Sequence, residues 1–187
     1  MCIRDRDATS RLLRAHRESG SIPSEGTPCV VGAQPAWLSS RAIDALGVAD
    51  ASRLLSLLTA GDYFAILAYL PPGPELLAPI DELRGLVRAR TRCATTFGYG
   101  PRYLHSTGQL HKGGPATGVF LVISAAPEAD LPVPGEAYSF GVLEQAQASG
   151  DFASLDSSGR RALHVRLPRP DAHILREVCT ALVAGLG

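Results

Sequence analysis

The sequence has only one lysine, Lys112, among its 18 basic side chains, so a reaction that needs a lysine amine has a single candidate. Its four cysteines, Cys2, Cys29, Cys93 and Cys179, are far apart. No CxxC pair marks a zinc site, and the spacing does not suggest a disulfide framework. We therefore expect neither a metal nor another cofactor.

Net charge and long apolar runs are also missing. The formal net charge is zero, which leaves no electrostatic signal for binding nucleic acid or an anionic membrane. No apolar run approaches the roughly 20 residues that span a bilayer, and the start of the chain lacks the apolar region of a secretory signal. With 45% hydrophobic and 19% charged residues, the composition is typical of a soluble enzyme domain. We predict a cytoplasmic protein with no nucleic-acid or membrane partner.

The beginning of the chain differs in character from the rest. Residues 1–6, MCIRDR, resemble a translated sequencing-adaptor remnant, and we exclude them from the fold prediction. We interpret residues 7–48 as a linker and helices of a truncated upstream region, and residues 49–187 as a C-terminal α/β domain. An incomplete domain is one alternative under this interpretation.

Strand and helix patterns alternate along the chain. Continuous apolar runs predict buried strands, and apolar residues at helical spacing predict amphipathic helices. The predicted strands are 29–33, 62–71, 118–124 and 162–168, and the predicted helices are 8–19, 38–47, 50–59, 75–92, 140–151 and 171–185. This alternation predicts a three-layer α/β fold with a mainly parallel sheet flanked by helices.

Residues 98–118, GYGPRYLHSTGQLHKGGPATG, form a glycine-rich segment with six glycines and most of the reactive polar groups. His105 and His111 carry groups that titrate near neutral pH. Arg102 and Lys112 carry positive charge that suits a phosphate or a developing enediolate. On composition alone, a tight structural connection remains an equal alternative to a ligand site.

Common motifs do not explain this segment. GGPATG lacks the GK[ST] ending of a phosphate-binding P-loop. No GxGxxG follows a strand, so a dinucleotide fingerprint is not present, and no GxSxG supports a serine hydrolase.

The order of the residues is more specific than their composition. TFGYGPRYLHSTGQLHKGGPATGVFLVI resembles a segment near the C-terminus of bifunctional transaldolase/glucose-6-phosphate isomerases. DYFAILAYLP upstream, and LPVPGEAYSFGVLEQAQASGDF and GRRALHVRL downstream, extend the resemblance over roughly residues 50–168. The HSTGQ core is also similar to the histidine segment of stand-alone bacterial glucose-6-phosphate isomerases. The resemblance implies an isomerase-type α/β fold and a role in sugar-phosphate metabolism.

The resemblance also implies roles for individual residues. The histidine that matches His105 opens the pyranose ring of glucose 6-phosphate, and a glutamate then moves a proton between C2 and C1 through a cis-enediol. The predicted substrate-binding residues around it are Arg102, Ser106, Thr107, Gln109, Lys112, Gly113 and Gly114. Two positions depart from the family. It often has an aromatic residue at 111, and it tends to have a basic residue near Glu144, which receives no role here.

Other parts of that active site are missing from the sequence. We find no match to the phosphate loops, the glutamate base motif or the FDQ…VE…K lysine motif. The transaldolase half is also missing, and its reaction needs a Schiff-base lysine. The only lysine, Lys112, lies in the isomerase-like segment, so we do not expect transaldolase activity. In this isomerase family the histidine reaches the active site of the neighbouring subunit. We therefore expect the chain to need upstream domains or a second subunit, with little turnover alone. The alternatives are a non-catalytic sugar-phosphate-binding domain and a structural or dimerisation domain of the fusion.

Overall fold

The computed structural model of the protein describes residues 3–186. A six-stranded sheet in the order β1-β2-β6-β5-β3-β4 lies between two layers of helices. Its elements are α1 (Ile3–Ser19), β1 (Thr27–Val31), β2 (Gln34–Leu38), α2 (Ser40–Leu46), a 3-10 helix (Ala51–Leu57), β3 (Tyr63–Tyr69), α3 (Pro74–Thr91), β4 (Ala94–Tyr99), a second 3-10 helix (Arg102–His105), α4 (Gly108–Gly113), β5 (Gly118–Ala125), α5 (Phe140–Ser157), β6 (Arg161–Leu167) and α6 (Ala172–Ala184). Strands β3 to β6 are parallel to one another. Strand β2 is antiparallel to both of its neighbours, β1 and β6. The predicted α/β class with a mainly parallel sheet is confirmed.

The apolar runs of β3 and β5 bury side chains on both faces of the sheet because successive strand residues point in opposite directions. On the first face, Phe64, Ile66 and Leu121 pack with residues of α3, α6 and the 3-10 helix Ala51–Leu57. On the second face, Tyr69 and Phe120 pack with residues of α5. Helix α1 lies outside α5 and completes this layer.

The helices begin and end where side chains and glycines satisfy their free backbone groups. Ser39, Asp50, Ser139 and Asp171 each accept a backbone N–H at a helix start. Pro79 lies inside α3, in its second turn.

The structure differs from the predicted elements in the first 60 residues and at β4. Residues 27–38 form a β-hairpin whose two turn residues, Gly32 and Ala33, have positive φ angles of 54° and 62°. Such angles match the twist of a two-residue hairpin turn. β4 is not among the predicted strands, and α5 continues to Ser157, beyond the predicted end at residue 151.

The predicted division at residue 48 does not separate two structural units. β2 pairs with β6 in the same sheet, with Ala36 opposite Val165, and α1 packs along α5. Residues 7–48 are therefore part of the α/β domain rather than a linker beside it. Of the six residues assigned to an artefact, 1 and 2 lie outside the described residues, and α1 begins at Ile3.

Candidate functional site

Residues 100–117, which we call the crossover, connect the carboxyl end of β4 to the amino end of β5. Because β3 lies between these two strands, the crossover passes over the sheet, and its buried residues Tyr103 and Leu104 place it on the second face. It contains the second 3-10 helix and α4. All the predicted site residues lie on the crossover.

Two glycines allow the chain around the start of the crossover to pack closely. A Cβ atom at Gly98 would lie 2.7 Å from Cβ of Tyr103, and one at Gly100 would lie 2.4 Å from the ring of Tyr69. Contacts this short would force the neighbouring atoms apart. Both glycines therefore serve packing at this end of the crossover.

His105 lies on the outer surface of the crossover. It follows the buried residues Tyr103 and Leu104, and its side chain is exposed. Ser106 and Gln109 are also exposed, and the Ser106 hydroxyl donates to the carbonyl oxygen of Tyr103 over 3.2 Å. The imidazole is thus open to solvent and to another polypeptide.

Thr107, half-buried, donates its backbone N–H to the carbonyl oxygen of Tyr103, and its own carbonyl accepts from the N–H of His111 at 3.0 Å. These bonds join the 3-10 helix to α4. The turn at residues 106–107, directly after His105, is therefore held between two short helices.

Lys112, Gly113 and Gly114 lie at the other end of the crossover, near the amino end of β6. Nζ of Lys112 is 2.5 Å from Oδ1 of Asp151 on α5. The guanidinium of Arg160 donates to the carbonyl oxygens of Lys112 and Gly114, both at 2.7 Å. The structure thus shows protein partners for this end of the crossover, and its contact with a substrate stays a prediction.

His111 is a core residue. Its Nδ1 lies 3.0 Å from the hydroxyl of Tyr63, and its ring contacts Phe120 and Tyr103. Burial, together with the nearby charge of Lys112, lowers the pKa of His111 from 6.5 to about 4. The ring is therefore neutral at pH 7, which suits a packing role and not proton transfer with a ligand.

A cavity of about 380 Å³ opens at the carboxyl ends of the parallel strands. From β3 the chain continues to β4 on one side, and from β5 it continues to β6 on the opposite side. The cavity therefore lies at the point between β3 and β5 where the strand order reverses, and open α/β sheets commonly bind ligands at such a switch point. Arg102, Glu128 and Glu144 supply charged groups to its wall, and Tyr69 and Tyr99 supply aromatic ones.

Of the predicted site residues, Arg102 lines this cavity, whereas the exposed His105 is not among its lining residues. The sequence interpretation missed Glu144, whose half-buried carboxyl faces the cavity. Burial raises the pKa of Glu144 above its ordinary value, a property common to acid–base groups in clefts. Its position near the start of the helix after β5 is the signal that could have indicated it.

Within residues 3–186, no three His, Cys, Asp or Glu side chains converge as metal ligands. The same part of the chain has no helix with the length and apolar character needed to span a membrane.

Comparison with known proteins adds information on the fold. No protein-family model matches the sequence, and no significant match to a curated protein is found. The crystal structure of a hypothetical protein from Thermus thermophilus is similar, with a TM-score of 0.61 and 19% sequence identity. The match covers 73% of this chain and 38% of that one, so the chain spans well under half of the neighbour's length. At this identity the likeness shows a shared α/β fold.

Proposed function

We propose that this chain supplies the ring-opening histidine of a glucose-6-phosphate isomerase of the kind found in transaldolase fusions, working in the cytoplasm. The observation that carries the proposal is the exposed imidazole of His105, at the end of the 3-10 helix and next to the turn into α4. Tyr103, Leu104 and His111 anchor these two short helices in the core. A group that must reach a sugar bound elsewhere has to be presented in this way. The HSTGQ segment is similar to the histidine segment of those enzymes, and this similarity is the reason for proposing glucose 6-phosphate as the substrate.

The chemistry assigned to His105 is proton transfer at the sugar ring. The imidazolium donates a proton to the ring oxygen as the C1–O5 bond breaks, and the neutral imidazole so formed takes up the proton of the C1 hydroxyl, which gives the open-chain aldehyde and restores the imidazolium. The imidazole group can both donate and accept a proton, as these two transfers require. The following transfer between C2 and C1 requires a second base, which gives the cis-enediol and then fructose 6-phosphate.

That second base and the phosphate-binding loops belong, in this proposal, to upstream domains or to a second subunit. The exposure of His105, Ser106 and Gln109 supports this arrangement, because these side chains are available to a neighbouring surface. We expect the 187-residue chain alone to interconvert the two sugar phosphates at a negligible rate.

The test is to replace His105 in an extended protein, meaning this chain joined to the upstream domains that the proposal requires. His105→Ala should lower kcat for cyclic glucose 6-phosphate by about 100-fold to 10,000-fold, the usual contribution of a positioned acid–base group. His173→Ala is the matched control, because His173 is an exposed histidine on α6, with a side chain 83% exposed. Equal kcat values for the two variants would contradict the proposal.

The cavity beside Arg102 favours a second candidate, a sugar-phosphate-binding domain without chemistry. Its place at the switch point of the sheet and its arginine suit an anionic sugar. Titration of the 187-residue chain with glucose 6-phosphate, followed by NMR, separates the candidates. If the ligand binds and Arg102→Ala abolishes binding, while His105→Ala in the extended protein leaves turnover intact, the binding domain is supported. A purely structural domain would show neither binding nor an effect of His105.

A further inference from the structure

We infer that Lys112 is a positioning residue, whose buried ion pair with Asp151 holds the crossover against α5 and so keeps the His105 turn in one orientation. The inference rests on the proposed function only in naming His105 as the group that is positioned. It changes the role implied for Lys112 by sequence resemblance, from a ligand for the substrate to a contact within the protein.

The geometry of the pair is that of a buried contact. The side chain of Lys112 is 12% exposed and that of Asp151 is 1% exposed. A carboxylate so far from solvent is stable only with a cationic or hydrogen-bonding partner. The only lysine of the chain is thus placed at one of its most buried carboxylates.

The pair fixes one end of the exposed turn, and the core fixes the other. Tyr103 and Leu104 lie in the apolar cluster of the second face, directly before His105. Lys112 comes after the turn, and its carbonyl oxygen also accepts a hydrogen bond from Arg160 at 2.7 Å. Loss of the ion pair would therefore release α4 from α5 and loosen the turn at residues 106–107, which joins α4 to the end of the 3-10 helix that carries His105.

A ligand role would require Lys112 to leave its partner. An ammonium group 2.5 Å from a carboxylate neutralises that charge, and moving it toward a phosphate would break an ion pair at a carboxylate that is almost completely buried. Arg102 differs, because its guanidinium lines the open cavity at the carboxyl ends of the strands. The two basic residues of the crossover therefore serve different purposes.

Amide hydrogen exchange on the 187-residue chain tests the inference without any catalytic assay. In Asp151→Asn and in Lys112→Met, exchange at residues 105–114 should become at least about 10-fold faster while exchange in β3 and β5 is unchanged. Glu82→Gln is the control, because it removes an exposed ion pair with Arg176 on the first face. Unchanged exchange at 105–114 in both variants would overturn the inference.

If either single variant fails to fold, the double variant Lys112→Met/Asp151→Leu tests whether the two residues form a pair. Replacing both members of a buried pair with apolar groups avoids the unpaired charge, so its urea midpoint should lie at or above those of the single variants. A double variant that is no more stable than the less stable single variant would overturn the pairing.

Kinetics of the extended protein then separate positioning from substrate binding. If Lys112 positions His105, Asp151→Asn and Lys112→Met should lower kcat by similar factors with KM nearly unchanged. If Lys112 binds the sugar phosphate, Lys112→Met should raise KM and Asp151→Asn should not. An extended protein without turnover would refute the proposed function, while the exchange experiment would still decide the role of the ion pair.

Discussion

The two faces of the central sheet are built from different kinds of side chain. The first face packs aliphatic residues and Phe64 against α3 and α6. The second face also contains aromatic residues but adds the buried titratable groups His111, Asp151 and His164.

Because of this difference, the first face mainly stabilises the fold, whereas the second face fixes the orientation of the elements that pack on it. Apolar contacts on the first face are non-directional and contribute mainly to the free energy of folding. Buried polar groups on the second face need specific partners, so they fix how the crossover and α5 lie against the sheet. The candidate functional residues lie on the crossover, which packs on the second face, where hydrogen bonds and an ion pair require specific geometry.

The largest effect should come from the first face. Phe64 is completely buried, so Phe64→Ala should lower the free energy of unfolding by about 3–5 kcal/mol through lost burial and a cavity. Leu86→Ala, at a residue 36% exposed on α3, is the control and should cost much less. Urea unfolding measures both, and equal losses would show that the first face is not the main source of stability.

The next effect depends on pH and belongs to the second face. Burial, with the charges of Lys112 and Arg166 as smaller causes, lowers the pKa of His111 to about 4 and that of His164 to about 3. Both rings ionise near 6.5 in the unfolded chain, so the unfolded state binds more protons as the pH falls below 6.5. As the pH falls from 6.5 to its folded-state pKa, each histidine should lower the free energy of unfolding by about 1.4 kcal/mol per pH unit.

His111→Phe tests this by removing one titrating group from an aromatic environment. Between pH 4 and 6.5, the slope of unfolding free energy against pH should correspond to about one proton fewer taken up on unfolding than in the unmodified protein. An unchanged slope would mean that His111 is protonated in the folded protein.

A smaller loss should follow from one hydrogen bond on the second face. The hydroxyl of Ser124 lies 2.9 Å from Nε2 of His164, and both groups are buried. Ser124→Ala leaves the ring nitrogen without this partner and should cost about 1–3 kcal/mol. Ser56→Ala removes an exposed hydroxyl that donates to the carbonyl oxygen of Arg53, and serves as the control in the same unfolding experiment.

The smallest effect on stability should be that of His105→Ala. The side chain is exposed, so the change should stay within about 0.5 kcal/mol. A large loss of stability would place the ring in a structural role and weaken its assignment to catalysis. Thermal unfolding of the 187-residue chain provides this measurement.

Much of the sheet could be predicted because burial on both faces produces continuous apolar sequence. The predicted strands 62–71 and 118–124 correspond to β3 and β5, both in the middle of the sheet. β4 is an edge strand with half-exposed side chains, and its sequence ATTFGY has no such run. The pattern that defines a central strand is therefore weak at an edge.

The candidate site was less predictable, since it depends on contacts between distant residues. Sequence singled out the glycine-rich segment, which the structure places on a single crossover. It could not show that Lys112 meets Asp151 on another helix, because nothing in their spacing indicates this pairing. Nor could it bring Arg102 and Glu144 to one cavity, which forms only where several strands end together.

The hairpin of β1 and β2 has a consequence for how the protein assembles during synthesis. Ser39, next to β2, accepts a hydrogen bond from the N–H of Ala162, which lies 123 residues later in the sequence. The ribosome must therefore make the 123 residues up to Ala162 before this hairpin can find its neighbour β6. Contacts so distant in sequence slow folding, and until they form the apolar side of the hairpin stays uncovered, where chaperones or unwanted association can act on it.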